Sequence, residues 1–318
     1  MRNVRKILDL KKEMIPFSEQ NPFSIELCKI KHSAVHYHTD TLEMVLCLKG
    51  SVSICCNHEW LELHEGEIYT IVERDIHCIW SDEENITAVI HIDTKGPSIA
   101  ISKLQESYIA CEDLTCQPFQ VEPIRQVKAM LLALAYGKYF GTIDDAATTQ
   151  ATRKLVAILL DYFNWFGFRD NYPGKNPAQY DRMLRVIEYC EANYREKLTI
   201  SKLAEEVHIS ENYFSQFFKH CPYGSFSLMV GYIRCYYAQE LLLSAQLPII
   251  EIAQQCGFSD VKYMYKSFRY WWKMSPDDYR QWFAAYVKAP DSIEYLDKKS
   301  AQDFIQSYAA RIFSELLI

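Results

Sequence analysis

The chain has 318 residues, 49% hydrophobic and 24% charged, with a net charge of −7. That length suits two domains, and that balance excludes a disordered chain. No run of about 18 apolar residues exists to span a membrane, and the acidity excludes a uniformly basic nucleic-acid binder.

The acidity is uneven. Residues 1–180 carry 18 Lys/Arg against 24 Asp/Glu, residues 181–286 carry 12 against 12, and residues 287–318 carry 4 against 5. A neutral region can still hold nucleic acid if its cations share one face. The N-terminus, MRNVRKILDLKKEM, is basic but has no apolar core to act as a signal peptide. The eleven cysteines are scattered without a CxxC spacing, which predicts reduced, mostly buried thiols in a cytoplasmic protein.

A short helix is expected before Pro16. From Phe23 to about Asp93 the pattern is one of short strands: Ser24–Ile30, Ala34–Tyr37, Glu43–Leu48, Val52–Cys56, Glu59–Leu63, Ile68–Val72 and Thr87–Ile92. Turn-prone pairs separate them, and closely spaced short strands predict a sandwich or barrel. Within this region His36-x-His38 is followed by four residues and then Glu43, with six more residues before Gly50, while ten residues separate Gly66 from His77. This spacing resembles the two motifs of the cupin double-stranded β-barrel, although Val72 and Arg74 stand where the second motif usually has proline and glycine. The resemblance implies that His36, His38, Glu43 and His77 meet at the barrel mouth. There they line an effector pocket, to which Trp80 is added as an aromatic wall. No resident cofactor is expected; if a divalent metal binds, the same three imidazoles and one carboxylate hold it.

From Val121 the period becomes helical. Val121–Tyr139 and Ala146–Phe168 read as two linker helices, separated by Gly141 and Asp144/Asp145, with apolar faces wide enough for dimerisation. Asp170–Gln179 (DNYPGKNPAQ) reads as a flexible linker, and a further helix spans about Tyr180 to Tyr194.

The next stretch repeats one supersecondary pattern. Leu198–Lys219 and Pro248–Phe268 each hold a short helix with an internal alanine, Ala204 and Ala253, then a short turn and a second helix. Ile200, Leu203 and Val207 match Ile249, Ile252 and Cys256. Ser210 and Ser259/Asp260 are placed to cap the second helices. Phe214, Phe217 and Phe218 give one core stripe, and Met264 and Phe268 the other. A small residue where two helices cross over a short turn is the layout of a helix-turn-helix.

The order and spacing of residues from Tyr180 to Phe283 resemble the DNA-binding domain of AraC-type (arabinose-regulator) transcription factors. The positions that match include Leu203-Ala204, Tyr213-Phe214, Arg234, Ala238, Ile252-Ala253, Gly257-Phe258, Phe268, Ser275-Pro276 and Tyr279-Arg280. Lys273 departs from the family glycine. The resemblance implies two recognition helices in successive major-groove segments. The first presents Asn212, Ser215 and Gln216 to bases, with Lys219 near phosphate. The second presents Val261, Lys262, Tyr265 and Lys266, with Arg269 near phosphate.

The expected architecture is a multidomain α+β chain. Residues 1–115 form the cupin-like sensor, 116–170 the linker and dimerisation helices, 180–286 the all-α DNA-binding domain, and 287–318 an amphipathic helical extension. The expected function is that of a sequence-specific transcription regulator, an activator by family analogy and not an enzyme. It is controlled by a small effector, a carbohydrate by the same analogy. Its expected partners are double-stranded promoter DNA, RNA polymerase and a second copy of the chain, with no membrane. The competing readings are a metal-dependent cupin enzyme fused to a DNA-binding domain and a regulator controlled by a protein partner.

Overall fold

The computed structural model describes residues 10–18, 21–95, 104, 108–164, 177–212, 214, 218, 223–286 and 289–315. The chain divides into two compact units, one of residues 12–165 with 290–318 and one of residues 1–11 with 166–289.

The first unit is an antiparallel sheet assembly. Its strands are β1 (Lys11–Glu13), β2 (Phe23–His32), β3 (His36–His38), β4 (Thr41–Lys49), β5 (Ser51–Cys56), β6 (Glu59–His64), β7 (Ile68–Ile71), β8 (His77–Trp80) and β9 (Ile86–Asp93). The seven predicted strands are all present. β8 is additional, because four residues are too few to show alternation. β1 stands in the described part of the segment expected to be helical. The pairing path runs β1-β3-β8-β2-β9-β4-β7, with β5 joined to β8 and β6 to β5. No ladder among the described residues joins the ends of this path, so the expected barrel is an open sheet. Its two wings meet at the single pair His32↔Trp80 between β2 and β8.

Side chains from both wings share one core: Ile30, Val45, Cys47, Val52, Ile54, Leu63, Ile71 and Ile79 are buried together. Each such aliphatic side chain contributes about 1.5–3 kcal/mol on burial, which is why alternation holds the inward faces in register.

Two helices cover the sheet. α1 (Val121–Phe140) ends at Gly141, at φ 68°, and α2 (Asp145–Tyr162) is capped by Asp144, whose carboxylate accepts from the Ala147 N–H at 2.8 Å. Both boundary signals were readable in the sequence. The expected continuation through Trp165 and Phe166 lies outside the described residues. The Tyr139 hydroxyl accepts from the Leu27 N–H at 3.1 Å, and Lys138 Nζ donates to the Ile25 carbonyl at 2.6 Å, fixing α1 to β2.

The second unit contains α3 (Pro177–Ala192), α4 (Ile200–Glu206), α5 (Phe226–Ser244), α6 (Ile249–Gln255), α7 (Val261–Trp271) and α8 (Pro276–Tyr286). Its two helix-turn-helix copies use the same backbone bonds. After α4, the Val207, His208 and Ile209 N–H groups bond the Leu203, Glu205 and Ala204 carbonyls. After α6, Cys256, Gly257 and Phe258 bond Ile252, Gln254 and Ala253. The pivot is left-handed in both, His208 at φ 56° and Gly257 at φ 79°. Leu203, Ala204, Ile252 and Ala253 are buried at the crossings, as are Phe214, Phe218, Met264 and Phe268.

The chain then returns to the first unit. β10 (Ser292–Tyr295) pairs antiparallel with β2, and α9 (Lys298–Glu315) follows.

Candidate functional site

In α7 the sequence VKYMYKSFRYW places Met264 and Phe268 inward and leaves Lys262, Lys266 and Arg269 exposed. Asp260 caps the helix, accepting from the Lys262 N–H at 2.9 Å, and its other oxygen pairs with Lys262 Nζ at 3.3 Å. An exposed pair of this kind is worth ~1 kcal/mol at most, so a phosphate can take the lysine. Val261 and Tyr265 are half-buried, and the Tyr265 hydroxyl donates to the Asp277 carboxylate. Tyr265 is therefore held as an apolar surface rather than a free hydrogen-bonding group. Tyr263 and Tyr270, not among the predicted contacts, are each 49% exposed beside Lys266. Their i, i+3 and i, i+4 spacing to Lys266 was the available signal. In the first copy Asn212 is exposed and helical; Ser215, Gln216 and Lys219 lie outside the described residues.

The arginines of the family pattern do other work. Arg234 donates from Nε to the Tyr194 carbonyl and from Nη2 to that of Glu196, both at 2.8 Å. Arg280 donates to the Leu242 and Leu247 carbonyls at 3.0 and 2.9 Å. Arg234 ties down the loop after α3, and Arg280 takes one carbonyl in the last turn of α5 and one in the loop that follows it. Gly231 lets α5 pass close to α7, since a Cβ there would lie 2.8 Å from Ser267 Oγ. Lys273 takes the left-handed conformation, φ 55°, that the family glycine would fill.

The second constellation lies in the first unit. β4 runs between β7 and β9, with Glu43 paired to Ile71 and to His91. β3 pairs with β8 at His36↔His77. These registers bring His36, His38, Glu43 and His77 together, with one ligand atom from each within 4.8 Å of the others and all four buried. Glu43 Oε2 lies 2.7 Å from His38 Nε2, 3.3 Å from His77 Nε2 and 3.4 Å from His91 Nε2. His36 Nε2 faces Glu13 Oε2 at 3.2 Å. His91 and Glu13 complete the cluster and were missed. His91 was recoverable from strand alternation opposite Glu43, while Glu13 had no sequence signal.

The ring orientations carry the chemistry. Nδ1 of His36 lies 2.7 Å from the Ala34 carbonyl, that of His77 2.8 Å from Asp75, and that of His38 3.3 Å from Glu13. A ring that donates from Nδ1 to a carbonyl has a bare lone pair at Nε2 unless it is protonated. These Nε2 atoms face carboxylates, so a proton or a cation is needed between them. Burial, aided by His77, pushes His36 down to about 3, leaving it neutral near pH 7. Burial also lowers His77, but Glu43 outweighs it and the net direction is up. Burial acts to raise Glu43, yet His77 and the imidazole hydrogen bonds hold it well below the usual carboxylate range. His77 Nε2, wholly buried, makes no well-formed hydrogen bond. A buried nitrogen without a well-formed hydrogen bond, set beside a carboxylate and the neutral His36, fits a divalent transition-metal ion.

Trp80 is a correction to the predicted pocket. It lies three residues after His77 on β8, and Ser53↔Trp80 and Cys56↔His77 are alternate pairs on β5. Odd spacing in a strand places side chains on opposite faces. Trp80 packs against Trp60 instead, ring centroids 4.6 Å apart.

Among known proteins, residues 203–281 match the family model of a helix-turn-helix domain. The regulatory protein PocR of Salmonella typhimurium is 32% identical over 112 residues, 35% of this chain and 37% of PocR. The HTH-type transcriptional regulator YdeC of Bacillus subtilis is 23% identical over 253 residues, 78% of this chain and 86% of YdeC. The chain thus spans little more than a third of PocR's length and most of YdeC's. The crystal structure of ToxT from Vibrio cholerae aligns with a TM-score of 0.44 at 14% identity, covering 84% of this chain and 99% of ToxT. Residues 203–281 are therefore a helix-turn-helix domain, and the chain around them is similar over most of its length to an HTH-type transcriptional regulator.

Proposed function

We propose that the chain is a cytoplasmic, effector-controlled regulator that reads promoter DNA with α7 and with the helical residues from Glu211. The His36–His38–Glu43–His77 cluster is the place where its effector acts. On the DNA side, Lys266, Lys262 and Arg269 supply charge for guanine edges and phosphates, while Val261 and the tyrosines supply apolar surface for thymine methyls. Asn212, Ser215, Gln216 and Lys219 take the corresponding role in the first copy. Homodimerisation, activation and contact with RNA polymerase belong to this reading. The domain limits given above, 1–115, 116–170, 180–286 and 287–318, remain its working division, with the last segment assigned to the sensor.

The observation that carries the effector assignment is the set of Nε2 atoms turned onto carboxylates while their Nδ1 atoms are committed to carbonyls. It favours a divalent transition-metal ion, held by His36, His38, Glu43 and His77, over a carbohydrate, whose expected aromatic wall at Trp80 faces away. Such an ion would supply charge neutralisation and hold the strands together. Calorimetric titration of the metal-stripped chain with zinc(II) tests this. One site per chain, lost in Glu43→Gln, is expected. Sugar binding that persists in Glu43→Gln, with no metal bound by the parent, would overturn it.

A metal-dependent enzyme remains the alternative in another class. It predicts turnover that follows metal content in the isolated protein without DNA.

A further inference from the structure

The DNA-binding region interrupts the sensor in sequence. Residues 12–165 and 290–318 form one unit, and the helix-turn-helix copies come between them. The sensor therefore holds the chain on both sides of that region. The C-terminal hold is built of several parts. β10 pairs with β2 from Ser292↔His32 to Tyr295↔Cys28. The Leu296 N–H donates to the Leu27 carbonyl at 2.8 Å. Ile293 packs on the buried core of the sheet. Ala301 and Ile305 of α9 are buried, and Gln302 Nε2 donates to the Tyr139 carbonyl at the end of α1 at 2.9 Å. Arg311 pairs with Glu65. A five-turn amphipathic helix and an added strand are a firm attachment, and Asp291 directly precedes the strand.

Asp291 meets the effector site through one residue. Its carboxylate accepts from the Ala34 N–H at 2.6 Å, and the Ala34 carbonyl accepts from His36 Nδ1 at 2.7 Å. Ala34 is thus held between the first predicted ligand and the residue that directly precedes β10. Binding a cation at His36 Nε2 fixes the ring in the tautomer that donates from Nδ1 and strengthens that hydrogen bond, as outer-shell partners of ligating histidines do. The orientation of Ala34, and with it the N–H offered to Asp291, is then set by whether the site is filled.

We infer that residues 291–315 are a strap through which the sensor grips the DNA-binding region from its C-terminal side, and that His36, Ala34 and Asp291 make the grip depend on the effector site. This rests on the assignment of the cluster as that site. Five residues, 286 to 290, separate the strap from the interior of α8. A looser strap lengthens the free chain that leads from α8, and that change of tether is what alters operator affinity.

Hydrogen–deuterium exchange of the full chain tests the inference, with zinc(II) as probe. In the parent, zinc slows exchange across residues 292–296 by about 10-fold, the factor that a hydrogen bond to a carboxylate represents. In Asp291→Ala, zinc still binds one per chain, but that slowing is lost and operator affinity stops responding to zinc. Equal slowing in Asp291→Ala, or zinc bound by the parent with no change at 292–296, overturns the strap's coupling and leaves the site standing. Absence of zinc binding, or equal binding by Glu43→Gln, overturns the site assignment and the inference with it.

Discussion

His77 and Trp80 stand on the same four-residue strand and face opposite ways, His77 toward Glu43 in the cluster and Trp80 onto the indole of Trp60. Their separation predicts a clean difference between two substitutions. His77→Ala removes a predicted ligand and weakens zinc binding by more than about 10-fold, the lower bound set by losses of outer-shell groups. Trp80→Ala leaves the zinc affinity unchanged. Calorimetry on both variants measures it, and a loss of zinc affinity in Trp80→Ala would show that the two faces share a site.

The metal-free sensor should lose stability on acidification. His36, held near 3 by burial and by His77, refuses a proton that the unfolded chain accepts below about 6.5. Stability therefore falls as pH drops from about 6.5 toward 3. Glu43, held well below the usual range, adds a further loss below about pH 4.5. His77 runs the other way: its raised value contributes fully below about 6.5, and the contribution is lost as pH rises through it. Urea midpoints from the indole NMR signals of Trp60 and Trp80 should fall between pH 6.5 and 4.5, and fall less in His36→Gln. An equal fall in both proteins would count against burial of a neutral His36.

The two turn pivots should respond oppositely to exchange of side chains. A Cβ at Gly257 would lie 2.4 Å from the Tyr194 carbonyl oxygen and 2.7 Å from Arg195 Cα, in addition to its φ of 79°. The left-handed conformation costs about 1 kcal/mol and overpacking against backbone about 1–3 kcal/mol, so Gly257→Ala should destabilise the second unit by about 2–4 kcal/mol. His208 occupies the equivalent pivot but is exposed. His208→Gly relieves its strain and should shift stability by less than about 1 kcal/mol. Thermal unfolding of both variants checks this; similar losses in the two would mean that the pivots are not equivalent.

What the sequence disclosed follows from the range of the forces involved. The helix-turn-helix repeat is local: the alanines, capping groups and left-handed pivots all act within a few residues, so Ala204, Ala253, Asp260 and Gly257 could be assigned from pattern alone. The His36–His38–Glu43–His77 set was legible because motif spacing encodes which strand ends meet. Trp80 misled because β8 was not recognised, and without a strand its facing could not be assigned. Glu13 reaches the cluster from 23 residues before His36, and β10 docks on β2 across more than 250 residues. Neither leaves a local trace, since the exposed tetrapeptide SIEY has little alternation of its own. Barrel closure failed as an expectation for the same reason: it depends on pairing between strand ends, which alternation within a strand does not report.

We propose that α7 reads DNA through the face bearing Lys266. The most direct measurement is footprinting of the purified full chain on the DNA upstream of its own gene, with Lys266→Ala in parallel and salt varied. The expected result is a protected segment of two adjacent major-groove contacts, specific affinity lower by about 1–3 kcal/mol in Lys266→Ala, and a binding constant that falls with salt. A parent and a Lys266→Ala variant that protect the same segment with the same affinity at every salt concentration would contradict it.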